Sequence, residues 1–452
     1  MATALDRVWK VHGDGRTVQP GEVVRPDERL HMPAMLGLGG QHILAMFGAT
    51  ALVPVLTGFP VATTIFWSGV GTIIFNLVTR NRVPSYTGSS FAFIAPVIAA
   101  KAEGGVPAAL GGILVAGVVL ALVGLIVDRA GYRVIEFLLP PVVTGAIVAL
   151  IGLNLAPVAK DQFEQQAGIA LVTLVAILLI GVVFKGFVSR LSVFLGVVVG
   201  YLFAAILGDV DWTMVHDAAW VGFPDFVTPE FNGRAIVLIV PAVILVLLAE
   251  NAGHVKAVGA MTERNLDGMI GRSFMGDGVA TTLSGLFGGS GTTTYAENIG
   301  VMGYTRIYST LAYLIAGTIA IALGLLPKFG AVISAIPVGV LGGAVTALFG
   351  MIAVLGGRIW IDGRVNFRDP VNLVTAAVAL IVGAGNYVLT WGDYEFAGIA
   401  LGTLAAIVIY QVLRVFQPEI GAPTDRPAGA WGDALAEPLG RTPDPRGPEP
   451  GP

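Results

Sequence analysis

Long apolar stretches alternate with short polar loops through most of this chain of 452 residues. A helix needs about 20 mostly apolar residues to cross a bilayer. The stretches that meet this test are 34–56, 61–79, 107–127, 134–154, 169–185, 192–208, 234–252, 307–326, 332–355, 371–390 and 394–416. Weaker candidates, interrupted or rich in glycine, serine and threonine, are 88–101, 274–288 and 292–304. Together they predict about fourteen transmembrane segments.

Composition supports an all-α polytopic membrane protein. Hydrophobic residues make up 55% of the chain and charged residues 12%, whereas soluble domains carry about 25% charged residues. The net charge of −4 and the absence of a basic run argue against a nucleic-acid partner. The chain has no cysteine, and its five histidines are scattered. We therefore expect no metal and no cofactor.

The two ends of the chain differ from its middle. Residues 1–32 are polar and lack the early apolar core of a signal peptide, which predicts a cytoplasmic N-terminal segment. Residues 417–452 are rich in proline, glycine and charge. Such a composition cannot bury a core, so we predict a disordered cytoplasmic tail.

Basic residues indicate the orientation. With the N-terminus in the cytoplasm, most lysines and arginines between segments fall on the cytoplasmic side, and the acidic loop 209–233 falls outside. One missed segment would destroy this alternation. The pattern thus favours fourteen segments, both termini inside, and a place in the cytoplasmic (inner) membrane.

Internal similarity suggests two halves. "GAIVALIG" at 145–152 resembles "GAVTALFG" at 343–350, and "SSFA" at 89–92 resembles "TTYA" at 293–296. Halves of about seven segments each, 33–208 and 234–416, must have opposite orientations, as in the inverted repeats of secondary transporters. The interrupted segments 88–101 and 292–304 are then equivalent, and irregular backbone at membrane depth is tolerated beside a cavity. They predict a transport site.

Ionisable groups inside apolar segments are the candidates for chemistry, because each costs about 2.5–3.5 kcal/mol or more to bury. Glu250 ends an apolar run, His254 follows one helical turn later, and Glu297 lies in an interrupted segment. Structural roles are the alternative for each of them: a helix-end carboxylate, a hydrogen bond, or a helix cross-link. Further polar candidates, with interhelical bonding as their alternative, are Gln41, His42, Asn154 and Asn386.

Four sequence blocks resemble one transporter family. They are "QHILAMFGATALVP", "PSYTGSSFAFIAPV", "LLAENAGH" and "ENIGVMGYTR". In their order, over about residues 33–417, they resemble the nucleobase–ascorbate transporters, the nucleobase/cation symporters. The family signature is matched by Glu297, Asn298, Gly300, Thr305 and Arg306. Glutamate at position 297 resembles the bacterial uracil permeases more than the xanthine and urate branch.

The resemblance implies a seven-plus-seven inverted repeat divided into core and gate domains, short antiparallel strands in segments 3 and 10, and a homodimer. It implies that Glu250 and Glu297 hold the base, that backbone N–H groups of Phe91 and Ala296 contact its carbonyls, and that His254 supports Glu250. Gln41, His42 and Asn298 are expected to support the site. Relatives often have glycine where this chain has Ala296, and some have proline or asparagine within "SGTT", which leaves fine specificity open.

The function expected from these features is proton-coupled uracil import by an elevator-like movement, with proton uptake at Glu250 assisted by His254. Uracil has two N–H donors and two carbonyl acceptors, which complement two carboxylates and two backbone N–H groups. Phe91 or Tyr295 could pack on its ring, although core packing is their simpler role.

The main alternative is a xanthine, urate or broader base permease. An anion carrier would favour a positive site, an enzyme would show a motif such as HExxH or GxSxG, and a channel fits two deep acids less well.

Overall fold

The computed structural model describes residues 7–19, 21–391 and 394–416. Its helices are α1 (Met32–Thr57), α2 (Val61–Val78), α3 (Ile94–Ala130), α4 (Arg133–Leu138), α5 (Pro141–Asn154), α6 (Ala156–Gln165), α7 (Ala167–Val183), α8 (Phe187–Arg190), α9 (Ser192–Leu207), α10 (Thr213–Asp217), α11 (Gly233–Thr262), α12 (Ile270–Leu286), α13 (Ala296–Thr305), α14 (Thr310–Gly324), α15 (Pro327–Ser334), α16 (Val338–Asp362), α17 (Pro370–Ala384) and α18 (Gly398–Phe416). Its strands are β1 (Lys10–Val11), β2 (Glu28–Arg29), β3 (Thr87–Ser89), β4 (Thr292–Thr294), β5 (Val388–Trp391) and β6 (Tyr394–Ala397). Short 3₁₀ turns lie at Phe91–Phe93 and Asp267–Met269.

Several helices are long and apolar enough to cross a membrane. Within the described ranges there are seven, or eight if the bent pair α14 and α15 forms one span with its 85° bend. Shorter apolar helices are α7, α9 and α17. The chain is therefore a multi-pass helical membrane protein, and the fourteen-segment layout with its inverted halves stays a prediction.

Helix boundaries differ from the sequence prediction where proline or glycine interrupts the helical backbone. Helix α3 runs through two predicted segments, and its backbone leaves helical geometry at Gly104 and Gly105, the latter with φ +71°. The stretch 134–154 divides before Pro141, and 332–355 divides before Val338. The stretch 371–390 ends as a helix at Ala384 and continues into the β5–β6 hairpin.

Most of the helix contacts fall within two groups, and α11 also contacts α5 and α18 of the second group. In the first group, α12 lies against α2 and α3, α11 lies against α3, and α14 lies against α1 and α2. In the second group, α16 lies against α5, α6 and α7, and α17 lies against α5 and α18. We call these the first and second helix groups.

Glycines bring α3 and α12 into close backbone contact. A side chain on Gly117 or Gly124 would strike the backbone of α12, and one on Gly278 or Gly271 would strike α3. Small residues at such contacts allow helices in lipid to gain dispersion energy at short range. This contact anchors α12 behind the strand β4.

Strands β3 and β4 form an antiparallel pair inside the first helix group. Thr87 pairs with Thr294, Gly88 with Thr293 and Ser89 with Thr292, and the residues of both strands are buried. Each strand leads into helical backbone, at Phe91 and at Ala296. The short antiparallel strands expected from the family resemblance are thus present.

The described part of the N-terminal segment, residues 7–19 and 21–31, folds onto the first helix group. Trp9, Val24 and Leu30 are buried against α1 and α14, and the Trp9 indole N–H donates to Thr310 Oγ1 at 2.8 Å. Arg264, beyond the end of α11, forms an ion pair with Asp27 at 3.0 Å. The segment is therefore part of the fold, while the predicted tail at 417–452 lies outside the described residues.

Candidate functional site

A cavity of about 670 Å³ lies between the two helix groups. The first group lines it with α11, β4 and α13, and the second group lines it with α5 and α16. At one end it reaches charged residues on the molecular surface: Glu136, Lys256, Arg358 and Asp362. The cavity therefore connects the β3–β4 pair with the end of the molecule where α11, α13 and α16 terminate.

Glu250, on α11, lines this cavity. Its Oε2 atom is buried and has no hydrogen-bond partner within the described ranges. Ser90 and Thr293 lie beside the carboxyl group, and Glu297 and Asp277 are near enough to interact with it electrostatically. A buried polar atom without a partner is costly. Glu250 thus lines the cavity and has unused hydrogen-bonding capacity at its buried Oε2 atom.

Glu297 lies in the first turn of α13 and also lines the cavity. Glu297 is exposed, whereas Glu250 is partly buried. The cavity lies beside Glu297. The start of a helix carries unpaired N–H groups and a partial positive charge, which favours a carboxylate there. The two predicted acids therefore share one cavity and sit on different elements.

The predicted backbone donors lie where the two strands become helical. Ala296 is the first residue of α13, and no side chain caps that helix. Phe91 begins the 3₁₀ turn after β3, where the Ser90 side chain accepts a bond from the N–H of Ala92. Both residues line the cavity. The residues at the two strand-to-helix transitions thus line the same cavity as the two acids.

Tyr295 binds the two interrupted segments to each other. Its hydroxyl donates to the Ser89 carbonyl oxygen at 2.8 Å and lies 2.8 Å from Thr50 Oγ1. The side chain is only 3% exposed. Phe91, by contrast, is half-buried and meets the ring of Phe349 edge-on, with 5.7 Å between ring centroids. Of the two aromatic candidates, Phe91 is the one with surface available to a ligand.

His254 lines the cavity but does not hydrogen-bond to Glu250. Its Nδ1 atom lies 2.8 Å from Thr294 Oγ1. Thr294 Oγ1 in turn donates to Asn251 Oδ1 at 2.8 Å, and Asn251 Nδ2 donates to Asp277 Oδ2 at 2.9 Å. The expected support of Glu250 by His254 is therefore not a direct bond, and the imidazole belongs to a separate buried network.

Asp277 is a buried acid that the sequence reading missed. It is 0% exposed, and its Oδ1 accepts from Thr292 Oγ1 at 2.8 Å. The signal was available, because Asp277 lies inside the predicted segment 274–288. The surrounding "FMGDGVATT" is rich in glycine and only weakly apolar, so a carboxylate within it stands out less than one in a strongly apolar run.

The other predicted residues lie behind the cavity. Asn298 Nδ2 donates to the His42 carbonyl oxygen at 3.0 Å and lies 3.1 Å from His42 Nδ1. The His42 ring lies 4.3 Å from the ring of Tyr313. Gln41 Oε1 is buried without a hydrogen-bond partner among the described atoms. This bond joins α13 to α1 directly beside Glu297. Asn298 itself does not line the cavity.

Asn154 and Asn386 join helices of the second group. Asn154 Nδ2 donates to the Gly383 carbonyl oxygen at 2.7 Å and lies 3.4 Å from Asn386 Oδ1. Neither residue lines the cavity, which agrees with their alternative role as interhelical bonds. In the described part of the chain, no cluster of three or more histidine, aspartate or glutamate side chains could hold a metal ion.

Comparison with known sequences points to one family. The sequence model of a group described as "Permease family" matches residues 34–391. The chain is 48% identical over 407 residues to the putative pyrimidine permease RutG of Escherichia coli K12, covering 86% of this chain and 92% of that protein. It is 43% identical over 390 residues to the uracil permease of Bacillus caldolyticus, covering 82% and 90%.

Solved structures support the fold alone, because their sequence identities are low. A structure of SLC26A9 is similar with a TM-score of 0.62 at 12% identity, over 86% of this chain and 66% of that one. The transmembrane domain of the cyanobacterial bicarbonate transporter BicA is similar with a TM-score of 0.57 at 14% identity, over 84% and 97%. The architecture is thus one that other membrane transporters also use.

Proposed function

We propose a function from one premise: the chain belongs to the permease family, the nucleobase–ascorbate transporters, and is a transporter rather than an enzyme. The function is import of a nucleobase, uracil in the first place, together with a proton across the cytoplasmic membrane. Support for uracil comes from relatives named pyrimidine or uracil permease and from the acids in the cavity. We also propose that both termini lie in the cytoplasm, as the distribution of basic residues indicates, and that the protein is a homodimer, as the family resemblance implies.

The observation that carries the proposal is the Glu250 carboxyl group, whose buried Oε2 atom has no hydrogen-bond partner within the described ranges, on a residue that lines the same cavity as Glu297. A neutral planar base with two N–H donors would supply hydrogen bonds to these two carboxyl groups. Its carbonyl oxygens would accept from the N–H groups of Phe91 and Ala296. Such a site disfavours ligands that leave its polar atoms unpaired, including inorganic anions, which would add negative charge beside two acids.

Proton coupling follows from the charge of the site. A neutral base brings no charge to offset two neighbouring carboxylates. The lysine and arginine residues that line the described cavity, Arg190, Lys256 and Arg358, are exposed at the molecular surface. A proton at Glu250 removes one of the two negative charges when the base binds. We propose that this proton enters with the base and leaves to the cytoplasm with it, and that His254 assists the exchange.

The proposed movement is a sliding of the first helix group, as the core domain, against the second, as the gate domain. The base contacts belong to the first group, and α5 and α16 form the opposite wall of the cavity. The cavity reaches the end that the basic residues predict to be cytoplasmic. An elevator-like displacement of the first group would carry Glu250, β4 and α13 together toward the other side.

The test is uptake into proteoliposomes with a panel of labelled and competing bases. We expect uracil accumulation under an inward proton gradient, and weaker competition by xanthine than by unlabelled uracil. Glu250→Gln should abolish uphill accumulation because it cannot carry the proton. Glu164→Gln is a matched control, since Glu164 lies outside the cavity in an exposed pair with Lys160. Undiminished uphill uptake by Glu250→Gln would remove the coupling mechanism.

Binding to purified protein separates recognition from coupling. Glu297→Ala should weaken uracil binding roughly 30-fold, because a hydrogen bond to a charged group contributes about 2 kcal/mol. Isothermal titration measures this directly. A Glu297→Ala variant that binds uracil as tightly as the wild-type protein would show that Glu297 does not hold the base.

A further inference from the structure

The network behind β4 connects a buried acid to the cavity through bonds with a definite direction. It begins at Asp277 on α12, passes through Asn251 on α11 and Thr294 on β4, and ends at His254. All but His254 are buried, with exposures of 0% for Asp277 and Asn251 and 1% for Thr294. Because these side chains are shielded from solvent, each polar hydrogen of the network must be donated to an acceptor within the network.

Two acceptors determine the orientation of the Asn251 amide. Its Nδ2 group lies 2.9 Å from Asp277 Oδ2 and 3.1 Å from the Leu247 carbonyl oxygen. The Leu247 backbone carbonyl can only accept, so the amide nitrogen must face it, and the same nitrogen then donates to Asp277 Oδ2. The amide oxygen of Asn251 consequently faces Thr294.

The hydroxyl of Thr294 then has no hydrogen left for His254. A threonine hydroxyl carries one hydrogen, and that hydrogen is directed to Asn251 Oδ1 at 2.8 Å. Thr294 Oγ1 can therefore meet His254 Nδ1, also at 2.8 Å, only by accepting a hydrogen from it. In the neutral imidazole, a hydrogen on Nδ1 leaves Nε2 as the unprotonated nitrogen.

We propose that Asp277, Asn251 and Thr294 are positioning residues that hold His254 as the Nδ1–H tautomer and so present an unprotonated Nε2 to the cavity. This deepens the proposed function and rests on it in one respect, the proton that enters with the base. Nε2 can then accept that proton, and it cannot donate to a carbonyl of the base while His254 is neutral. The network thereby keeps His254 able to assist the proton exchange proposed at Glu250.

The tautomer can be measured on ligand-free protein labelled with ¹⁵N-histidine in lipid nanodiscs. At about pH 8 an ordinary imidazole is neutral, and protonated and unprotonated ring nitrogens have well-separated ¹⁵N shifts. The His254 signals are identified as those that are absent from the spectrum of the His254→Gln variant. We expect a protonated Nδ1 and an unprotonated Nε2. A protonated Nε2 in the original chain would overturn the proposal.

Substitutions on β4 test whether the network sets the tautomer. Thr294→Val removes the acceptor with little change of shape, and we expect the Nε2–H form to appear. Thr294→Ser retains the hydroxyl and should retain the Nδ1–H form. Thr293→Val is the matched control on the same strand, because Thr293 lies beside Glu250 and has no hydrogen bond to His254. An unchanged tautomer in Thr294→Val would overturn the role of the network.

The spectrum and the transport assay can fail independently. The tautomer is observed without any ligand, so a chain that does not transport uracil could still show the Nδ1–H form. Conversely, uracil uptake with an Nε2–H imidazole would leave the proposed function intact and remove this inference. We also expect Thr294→Val to raise the uracil concentration at half-maximal uptake severalfold while Thr294→Ser does not.

Discussion

The two interrupted segments that meet at the site are built alike but are held in place by different chemistry. On the β3 side, Ser68 and Thr72 of α2 hold the strand, with Ser68 Oγ donating to the Thr87 carbonyl oxygen at 2.8 Å and the Thr87 N–H donating to Thr72 Oγ1 at 3.0 Å. Only neutral hydroxyl groups of α2 take part in these bonds. They order the backbone and have no second charge state at ordinary pH.

On the β4 side, one hydroxyl is replaced by a carboxyl group. Thr281 of α12 accepts from the Thr292 N–H at 3.0 Å, just as Thr72 does on the other side. Four residues before it, Asp277 stands where Ser68 stands relative to Thr72, and it accepts from Thr292 Oγ1. The same strand support is thereby connected to Asn251 and the cavity. One segment supplies a rigid backbone, and the other adds a group whose bonds reach His254.

The largest expected effect on stability comes from removing Asp277, and Ser68 is the equivalent support on the other strand with which it is compared. Asp277→Ala removes the carboxyl oxygens that accept from the Asn251 amide and the Thr292 hydroxyl, and should lower the free energy of unfolding by about 3 kcal/mol. Ser68→Ala removes one neutral donor and should lower it by about 1 kcal/mol. Thermal unfolding of both variants in the same detergent compares them. Equal losses would mean that the carboxyl group adds nothing beyond what a hydroxyl provides.

A smaller effect is expected from the two tyrosines at the strands. Tyr295→Phe removes a bond to the Ser89 carbonyl oxygen and one to Thr50, and should lower the free energy of unfolding by about 2 kcal/mol. Tyr86→Phe loses its bond with Ser68 Oγ, and we expect about 1 kcal/mol. Chemical denaturation of the two variants gives the difference, and a larger loss in Tyr86→Phe would contradict the ranking.

Several residues that line the cavity could be predicted because their signals are local. A carboxylate inside an apolar segment is rare and stands out, so Glu250 and Glu297 were found from their neighbours alone. The similarity of "SSFA" to "TTYA" located both strand-to-helix transitions, Phe91 and Ala296 among them. These predictions needed only composition and order along the chain, together with the family resemblance for the roles.

The network behind β4 could not be predicted in the same way, because it depends on contacts between distant residues. Asn251 and Thr294 are 43 residues apart, and nothing local in either neighbourhood indicates that their side chains meet. The pairing of His254 with Thr294 instead of Glu250 is likewise a matter of side-chain direction across two elements. Sequence periodicity locates a residue on a face but does not choose between neighbouring partners on that face.

Elements outside the apolar segments were also missed for a physical reason. The β5–β6 hairpin begins after Asn386, whose φ of +49° turns the chain, yet its valine and leucine extend the apolar run of α17. Hydropathy alone cannot separate such a strand from the end of a helix. The N-terminal segment is polar on average, and its few buried residues, such as Trp9, share a cluster with Leu311 and Ala312 of α14, which are far away in the sequence.

The smallest predicted effect separates the two aromatic residues at matched positions, Phe91 and Tyr295. Phe91 faces the cavity, and we expect its ring to lie on the face of the base. Phe91→Leu should weaken uracil binding about fivefold, the equivalent of about 1 kcal/mol for an aromatic contact. Phe349→Leu is the matched control, because Phe349 is 2% exposed, does not line the cavity and meets Phe91 edge-on.

Titration of uracil into the two variants decides between a ligand contact and a packing contact. If Phe91 touches the base, Phe349→Leu should change the affinity by less than about twofold, since it alters only the support of the ring. If Phe349→Leu weakens binding as much as Phe91→Leu does, the edge-on pair matters for the geometry of the helix groups instead. In that case Phe91 would share the structural role of Tyr295, and the two interrupted segments would differ only in the buried carboxyl group and its bonds.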